Sequence, residues 1–203
     1  MLQTYYDRPG DAGKYDVFRT KGFAANWQIA GRGATEVAMQ SLPAFLRTLL
    51  VTDGTVTKSL EAYYWEPIAI TGVTQRVTQA EGAIDWLDVR GGEQVLARYV
   101  QLLGERSRRT FANAFSIIRL ELIPAELRAR LLDGSLGIGE LIRSCGLETY
   151  RELMEIGMTD DFSLGGESCG VEEECVYRTY RITMNHRPAM LVTECFQIAL
   201  FRT

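Results

Sequence analysis

The sequence predicts an α+β protein in which an antiparallel β-sheet is flanked by helices. Three observations carry that expectation. Runs of β-branched and apolar residues are joined by short turns, as at Gly104–Ser107 and Asn185–Pro188, and short connections join antiparallel rather than parallel strands. Helical periodicity is confined to a few segments and does not alternate with the strands, which argues against a doubly wound sheet. With 203 residues, 46% of them hydrophobic, the chain can bury one substantial core. Residues 1–35 read as an N-terminal extension, partly docked, and residues 36–203 as the domain itself.

The extension is rich in glycine, aspartate, arginine and aromatic residues and has no period, with Phe18, Phe23 and Trp27 available for docking. Val37, Met39, Leu42, Phe45, Leu46, Leu49 and Leu50 then recur at helical spacing. Pro43 marks a first turn or a kink there. Asp53-Gly54 is a turn, after which Thr55 or Thr57 can cap a second helix through Ala62 and Tyr63. Strand-like texture begins with Ile68, Ile70, Val73 and Val77. Gln94–Leu103 is an apolar strand, and Gly104–Ser107 connects it to Thr110–Leu122. Pro124 opens a helix. Leu136-Gly137-Ile138-Gly139 leads into a short helix over Glu140–Cys145, and Gly165–Gly170 reads as a loop. Val176–Met184 and Ala189–Phe201 flank Asn185–Pro188 as the clearest hairpin.

Bulk properties exclude several classes of function. A formal net charge of −4 gives no general attraction to nucleic acid or to an anionic membrane. No apolar run approaches the roughly 20 residues of a membrane span. Met1–Asp7 lacks the basic and apolar regions of a secretory signal, so a cytoplasmic protein is expected. The four cysteines, Cys145, Cys169, Cys175 and Cys195, form no CxxC pair and are expected as free thiols. A single histidine, His186, rules out a multi-histidine metal site and lies in a hairpin turn. Neither a metal nor a cofactor is expected. The expected partner is a small molecule, bound by a monomer or a homodimer.

Three places put polar groups among apolar neighbours. In Val95–Leu103, strand alternation sets Arg98 on one face with Leu96, Val100 and Leu102. It either snorkels to solvent or is a buried cation awaiting an anion, for which its planar fork is suited. Glu194 shares a face with Met190, Val192, Phe196 and Ile198. An unpaired carboxylate there is costly, and burial would favour its neutral form, which suits proton transfer or a bond to a substrate hydroxyl. The alternatives are a structural Glu194–Arg98 ion pair or an exposed sheet face. In Val51–Glu61, a helix start can either receive an anion at its backbone N–H groups or be capped by Thr55 or Thr57.

Four stretches join these signals: Leu49–Glu61 (LLVTDGTVTKSLE), Val95–Leu103 (VLARYVQLL), Leu136–Ile142 (LGIGELI) and Arg187–Phe196 (RPAMLVTECF). Their order and spacing resemble the chorismate lyase family, also called chorismate–pyruvate lyase or 4-hydroxybenzoate synthase, and in particular its bacterial and archaeal branch. The resemblance spans roughly residues 45–200. Phe111–Phe115 and Gly165–Glu174 fall outside the matching stretches, and residues 1–35 have no counterpart in the family.

What the resemblance implies is a chorismate lyase-like domain with an enclosed ligand site and no cofactor. The reaction implied is removal of pyruvate from chorismate to give 4-hydroxybenzoate. Arg98 would bind the ring carboxylate and Glu194 the ring hydroxyl. Backbone amides of Val56 and Ile138, with Thr55 and Gly139 beside them, would complete carboxylate binding. A cation for the second carboxylate is left open between Lys58 and Arg76. Two alternatives stand beside this reading: an enzyme of the same fold acting on another ring or enolpyruvyl carboxylic acid, and a non-catalytic module that binds an aromatic acid. Effector-binding domains of some transcription regulators have a similar fold, but they follow a DNA-binding domain for which residues 1–35 are too short.

Overall fold

The computed structural model describes residues 5–6, 28–29, 37–134, 137–145, 148–159 and 174–202. The loop expected at Gly165–Gly170 and most of the N-terminal extension lie outside them. Two short strands, β1 (Gln28–Ile29) and β2 (Val37–Ala38), pair with each other. Two helices follow, α1 (Ala44–Val51) and α2 (Val56–Tyr64). The sheet is built from β3 (Ile68–Gln79), β4 (Gln94–Gly104), β5 (Thr110–Ile118), β6 (Thr149–Thr159), β7 (Cys175–Met184) and β8 (Arg187–Gln197). Helices α3 (Ala125–Leu132) and α4 (Ile138–Cys145) lie between β5 and β6 in the chain. The six strands run in the order β3-β4-β5-β8-β7-β6, and every neighbouring pair is antiparallel. The fold is therefore the α+β arrangement the sequence predicts.

Several local expectations need correction. The apolar period from Val37 to Leu50 is not one helix: Pro43 occupies the N-cap of α1, and the residues before it form β2 and a single 3-10 turn. Proline has no N–H to lose at a helix start, so the helix begins there instead of bending. Helix α4 begins at Ile138, two residues before the expected Glu140. The last hairpin turns on Asn185 and His186 alone, both at positive φ (49° and 61°), which is the geometry of the tight turns that match strand twist. Strand β6 has no counterpart among the expected elements.

Three of the four register shifts in the sheet bear on which side chains share a face. In β3 the register shifts between Thr71 and Thr74, at Gly72 with φ +57°, a backbone conformation that glycine adopts without steric cost. Past the shift, Gln75 pairs with Arg98. In β8 the register shifts between Pro188 and Met190, so that Glu194 pairs with Arg178. A third shift, between Leu153 and Glu155 in β6, sets Leu153 opposite Tyr180. Because a one-residue slip exchanges the two faces of a strand, these bulges put Gln75, Arg98, Glu194, Arg178 and Tyr180 on one side of the sheet.

That side carries the helices. One apolar cluster joins α1 and α2 to the sheet through Leu46, Leu49, Leu60, Leu102 and Phe196. A second joins α3 and α4 to it through Leu131, Leu141, Leu96, Ile182 and Met190. The opposite side packs Trp86, Leu87, Phe115 and Leu191 together with Tyr5 and Tyr6. Tyr5 is 3% exposed, and its hydroxyl bonds Thr193 Oγ1. Among the described residues no helix is long and apolar enough to cross a membrane.

Candidate active site

Between the two apolar clusters on the helix-covered side lies a cavity of about 70 Å³. It is lined by all six residues singled out in the sequence: Thr55, Val56, Arg98, Ile138, Gly139 and Glu194. Arg98 stands on β4 and Glu194 on β8, with β5 between them. Two strand spacings and a two-residue offset place their Cα atoms roughly 12 Å apart, and both side chains line the same cavity.

Arg98 is 2% exposed. Its Nη1 donates to Gln75 Oε1 at 3.2 Å and to the Leu131 carbonyl at 3.2 Å. Both acceptors are neutral, and among the described residues Arg98 forms no ion pair. Burial pulls its guanidinium below the ordinary arginine value, and the more distant charge of Asp133 offsets this. The group still carries its proton. The snorkelling alternative fails because the side chain is enclosed. The Glu194–Arg98 ion pair is absent as well.

Two helix N-termini converge on the same space. Thr55 is the N-cap of α2 but makes no side-chain cap hydrogen bond, so the capping role the sequence allows is not taken up. The start of α4 comes close because two glycines permit it. A Cβ on Gly137 would stand 2.5 Å from Ile70 Cδ1, and one on Gly139 would stand 3.0 Å from Thr55 Cγ2. Helix N-termini present unshared N–H groups and partial positive charge. Together with Arg98 they give one end of the cavity an anion-attracting lining.

The Glu194 end has the opposite character. Glu194 is 6% exposed, and its Oε2 accepts from Arg178 Nε at 2.8 Å. Its Oε1 accepts from the Tyr180 hydroxyl at 3.2 Å. Glu194 is therefore ion-paired, as one alternative in the sequence allows, but with Arg178 directly across the β7–β8 pair and not with Arg98. An ion-paired carboxylate offers acceptors and no proton, so its suitability is for binding a hydroxyl. Tyr180 is pushed well above the ordinary phenol range, first by burial and then by the Glu194 charge, and it stays a donor.

Arg178 also donates from Nη1 to the Thr52 carbonyl at 2.5 Å, and Arg151 on β6 donates to the carbonyls of Asp53 and Gly54 at 2.9 and 2.5 Å. Two arginines therefore hold the turn that presents the start of α2. Arg151 lines the cavity, whereas Lys58 and Arg76 do not. Lys58 is paired with Glu61 at the surface, and Arg76 sits one residue off the Gln75 face and is exposed. The sequence reading missed Arg151, Arg178 and Tyr180. A signal for two of them was present, because Val176, Arg178, Tyr180, Ile182 and Met184 alternate on one face as Arg98 and its neighbours do. Among the described residues no cluster of His, Cys, Asp or Glu side chains could hold a metal, and Cys175 and Cys195 are buried.

The family profile described as "Chorismate pyruvate-lyase Rv2949c-like" matches residues 50–203. A chorismate pyruvate-lyase of Mycobacterium tuberculosis is 29% identical over 163 residues, covering 77% of this chain and 81% of that protein. One from Mycobacterium leprae is 26% identical over 180 residues, covering 86% and 84%. Among solved structures, PhnF from Mycobacterium smegmatis superposes with a TM-score of 0.52 at 13% identity, over 72% of this chain and 65% of PhnF, just under two thirds of its length. That likeness concerns the fold alone. The match over residues 50–203 places this chain in the Rv2949c-like chorismate pyruvate-lyase family.

Proposed function

We propose that the protein is a chorismate lyase that releases pyruvate and leaves 4-hydroxybenzoate. The observation that carries this reading is Arg98: a guanidinium 2% exposed, without an ion-pair partner among the described residues, sharing a cavity with Glu194 in a chain of this family. An enclosed cation bonded only to neutral groups is costly unless an anionic ligand completes it. In this reading Arg98 and the N–H groups of Val56 and Ile138 hold the ring carboxylate, with Thr55 and Gly139 shaping the approach. Glu194, fixed by Arg178 and Tyr180, accepts the ring hydroxyl at the far end.

The chemistry asks little else of the protein. The ether bond between ring carbon and enolpyruvyl oxygen breaks, and its electron pair leaves with the oxygen. The neighbouring ring carbon, which bears the hydroxyl, loses its hydrogen as a proton, and those electrons complete the aromatic ring. The proton ends on the methylene carbon of the departing enolpyruvate, giving pyruvate. Atoms and charge balance without an added reactant. The site's contribution is to hold the dianion in a reactive geometry and to stabilise charge on the departing oxygen.

Incubation of purified protein with chorismate, following pyruvate and 4-hydroxybenzoate together, tests the reading. Equimolar formation of both is expected. Folded protein that forms neither would contradict it. Pyruvate without 4-hydroxybenzoate from a related enolpyruvyl acid would move the assignment to another substrate on the same fold.

A further inference from the structure

The lining of the cavity includes a second cation that the roles above leave unused. Arg151 rises from β6 beside Tyr180, with its guanidinium carbon 5.7 Å from the centre of the Tyr180 ring. Among the described residues only its Nη1 is engaged, by the carbonyls of Asp53 and Gly54. Among the described residues it forms no ion pair, and no described group accepts from its Nε or Nη2. That leaves open the Nε–Nη2 edge, one of the two-donor forks with which a guanidinium meets a carboxylate.

The position of Arg151 matters as much as its open edge. Tyr180 donates to Glu194, and β6 lies beyond β8 and β7 from β4, so Arg151 enters the cavity from the Glu194 side, next to the turn that leads into α2. On chorismate the enolpyruvyl ether is borne by the ring carbon next to the one bearing the hydroxyl. A substrate with its carboxylate on Arg98 and its hydroxyl on Glu194 therefore directs its second carboxylate toward the Glu194 end. Arg178 is less suited, because it does not line the cavity and its charge is paired with Glu194.

We propose that Arg151 binds the enolpyruvyl carboxylate and is the residue that distinguishes substrate from product, which lacks that group. This assignment rests on the chorismate lyase reading. It also gives the bracing of the 52–54 turn a purpose, since the same guanidinium that holds the turn senses the side chain of the substrate. Release of pyruvate removes the anion from Arg151 while Arg98 still holds the benzoate.

The test is a split between two ligands. For Arg151→Gln, KM for chorismate in the pyruvate-release assay is expected to rise on the order of 10- to 100-fold, the worth of charge-assisted hydrogen bonds. The inhibition constant of 4-hydroxybenzoate should change less than about threefold, by the same conversion. Arg151→Lys should recover part of the loss, since a point charge replaces the fork. An equal loss for both ligands would make Arg151 only a brace for the turn and overturn the assignment. Unchanged KM would overturn it as well. Wild-type protein with no chorismate turnover would remove the underlying reading and this assignment with it, an outcome distinct from a turning-over wild type whose variant fails to separate the ligands.

Discussion

Arg98 and Arg178 are buried to the same extent, 2% exposed each, on the same face of the same sheet. Arg178 faces Glu194 and spends its charge inside the protein. Arg98 faces Ser116 and Gln75, and among the described residues it hydrogen-bonds only neutral oxygens, with Asp133 acting from beyond ion-pair distance. A buried ion pair costs little net free energy once formed, whereas a buried cation bonded only to neutral groups retains most of its desolvation penalty. The difference therefore separates structure from function on one surface. Arg178 positions a carboxylate, and Arg98 is kept ready for one that arrives with a ligand.

The comparison can be broken from its structural side first, where the largest effect is expected. Arg178→Met leaves Glu194 buried beside an apolar side chain and should cost about 3–5 kcal/mol of stability, read by denaturant unfolding. The double variant Arg178→Met with Glu194→Leu should regain most of that loss, because the two residues act as one unit. If the single variant were as stable as wild type, the pair would not carry the strain assigned to it.

A smaller effect is expected where the two helix starts meet. In Gly139→Ala the new Cβ stands 3.0 Å from Thr55 Cγ2, so either the Thr55 side chain or the α2 and α4 N-termini must give by a few tenths of an ångström. Affinity for 4-hydroxybenzoate should fall about tenfold, as misplacement of a binding group costs. The helix should gain roughly 0.5–1 kcal/mol from alanine. A loss of stability with unchanged affinity would place the strain elsewhere.

The smallest effect lies far from the cavity. Glu66 accepts hydrogen bonds from the backbone of Ser107 and Arg106 in the β4–β5 turn. Its carboxyl is lowered from the ordinary value, chiefly by the Ser107 N–H. A group depressed in the folded state contributes stability that is present above its unfolded pKa, about 4.3, and is lost as pH falls through the lower folded value. Melting temperature should therefore drop less steeply with acid in Glu66→Gln than in wild type. Coincident profiles would show that this carboxylate adds nothing to acid sensitivity.

How much of this was legible in the sequence follows the same division. Arg98 and Glu194 stood out because each interrupts an apolar face of a strand whose alternation is regular on both sides. The helix start at Thr55 and the glycines around Ile138 could be read from the residues only as one of two alternatives, since glycines and threonines at a helix start occur equally in plain turns, and it was the family resemblance that assigned Thr55, Val56, Ile138 and Gly139 to the site. The Arg178–Glu194 pair was hidden by a bulge. Counted straight from the Asn185–His186 turn, Arg178 falls opposite Thr193, and the extra residue Ala189 moves Glu194 into its place. No local pattern announces that shift. Strand β6, and Arg151 with it, was missed because it is an edge strand: Thr149–Leu153 is half-buried or exposed throughout, without the apolar alternation that marks a covered strand.

The central claim, that Arg98 is held for a ligand's carboxylate while Arg178 is not, is tested most directly by titrating 4-hydroxybenzoate into wild-type protein and Arg98→Met in a calorimeter. Binding should weaken roughly 100-fold or more in the variant, while its melting temperature stays equal to or above that of wild type, since an apolar side chain removes an unpaired buried charge. Unchanged affinity in a folded Arg98→Met protein would contradict the account.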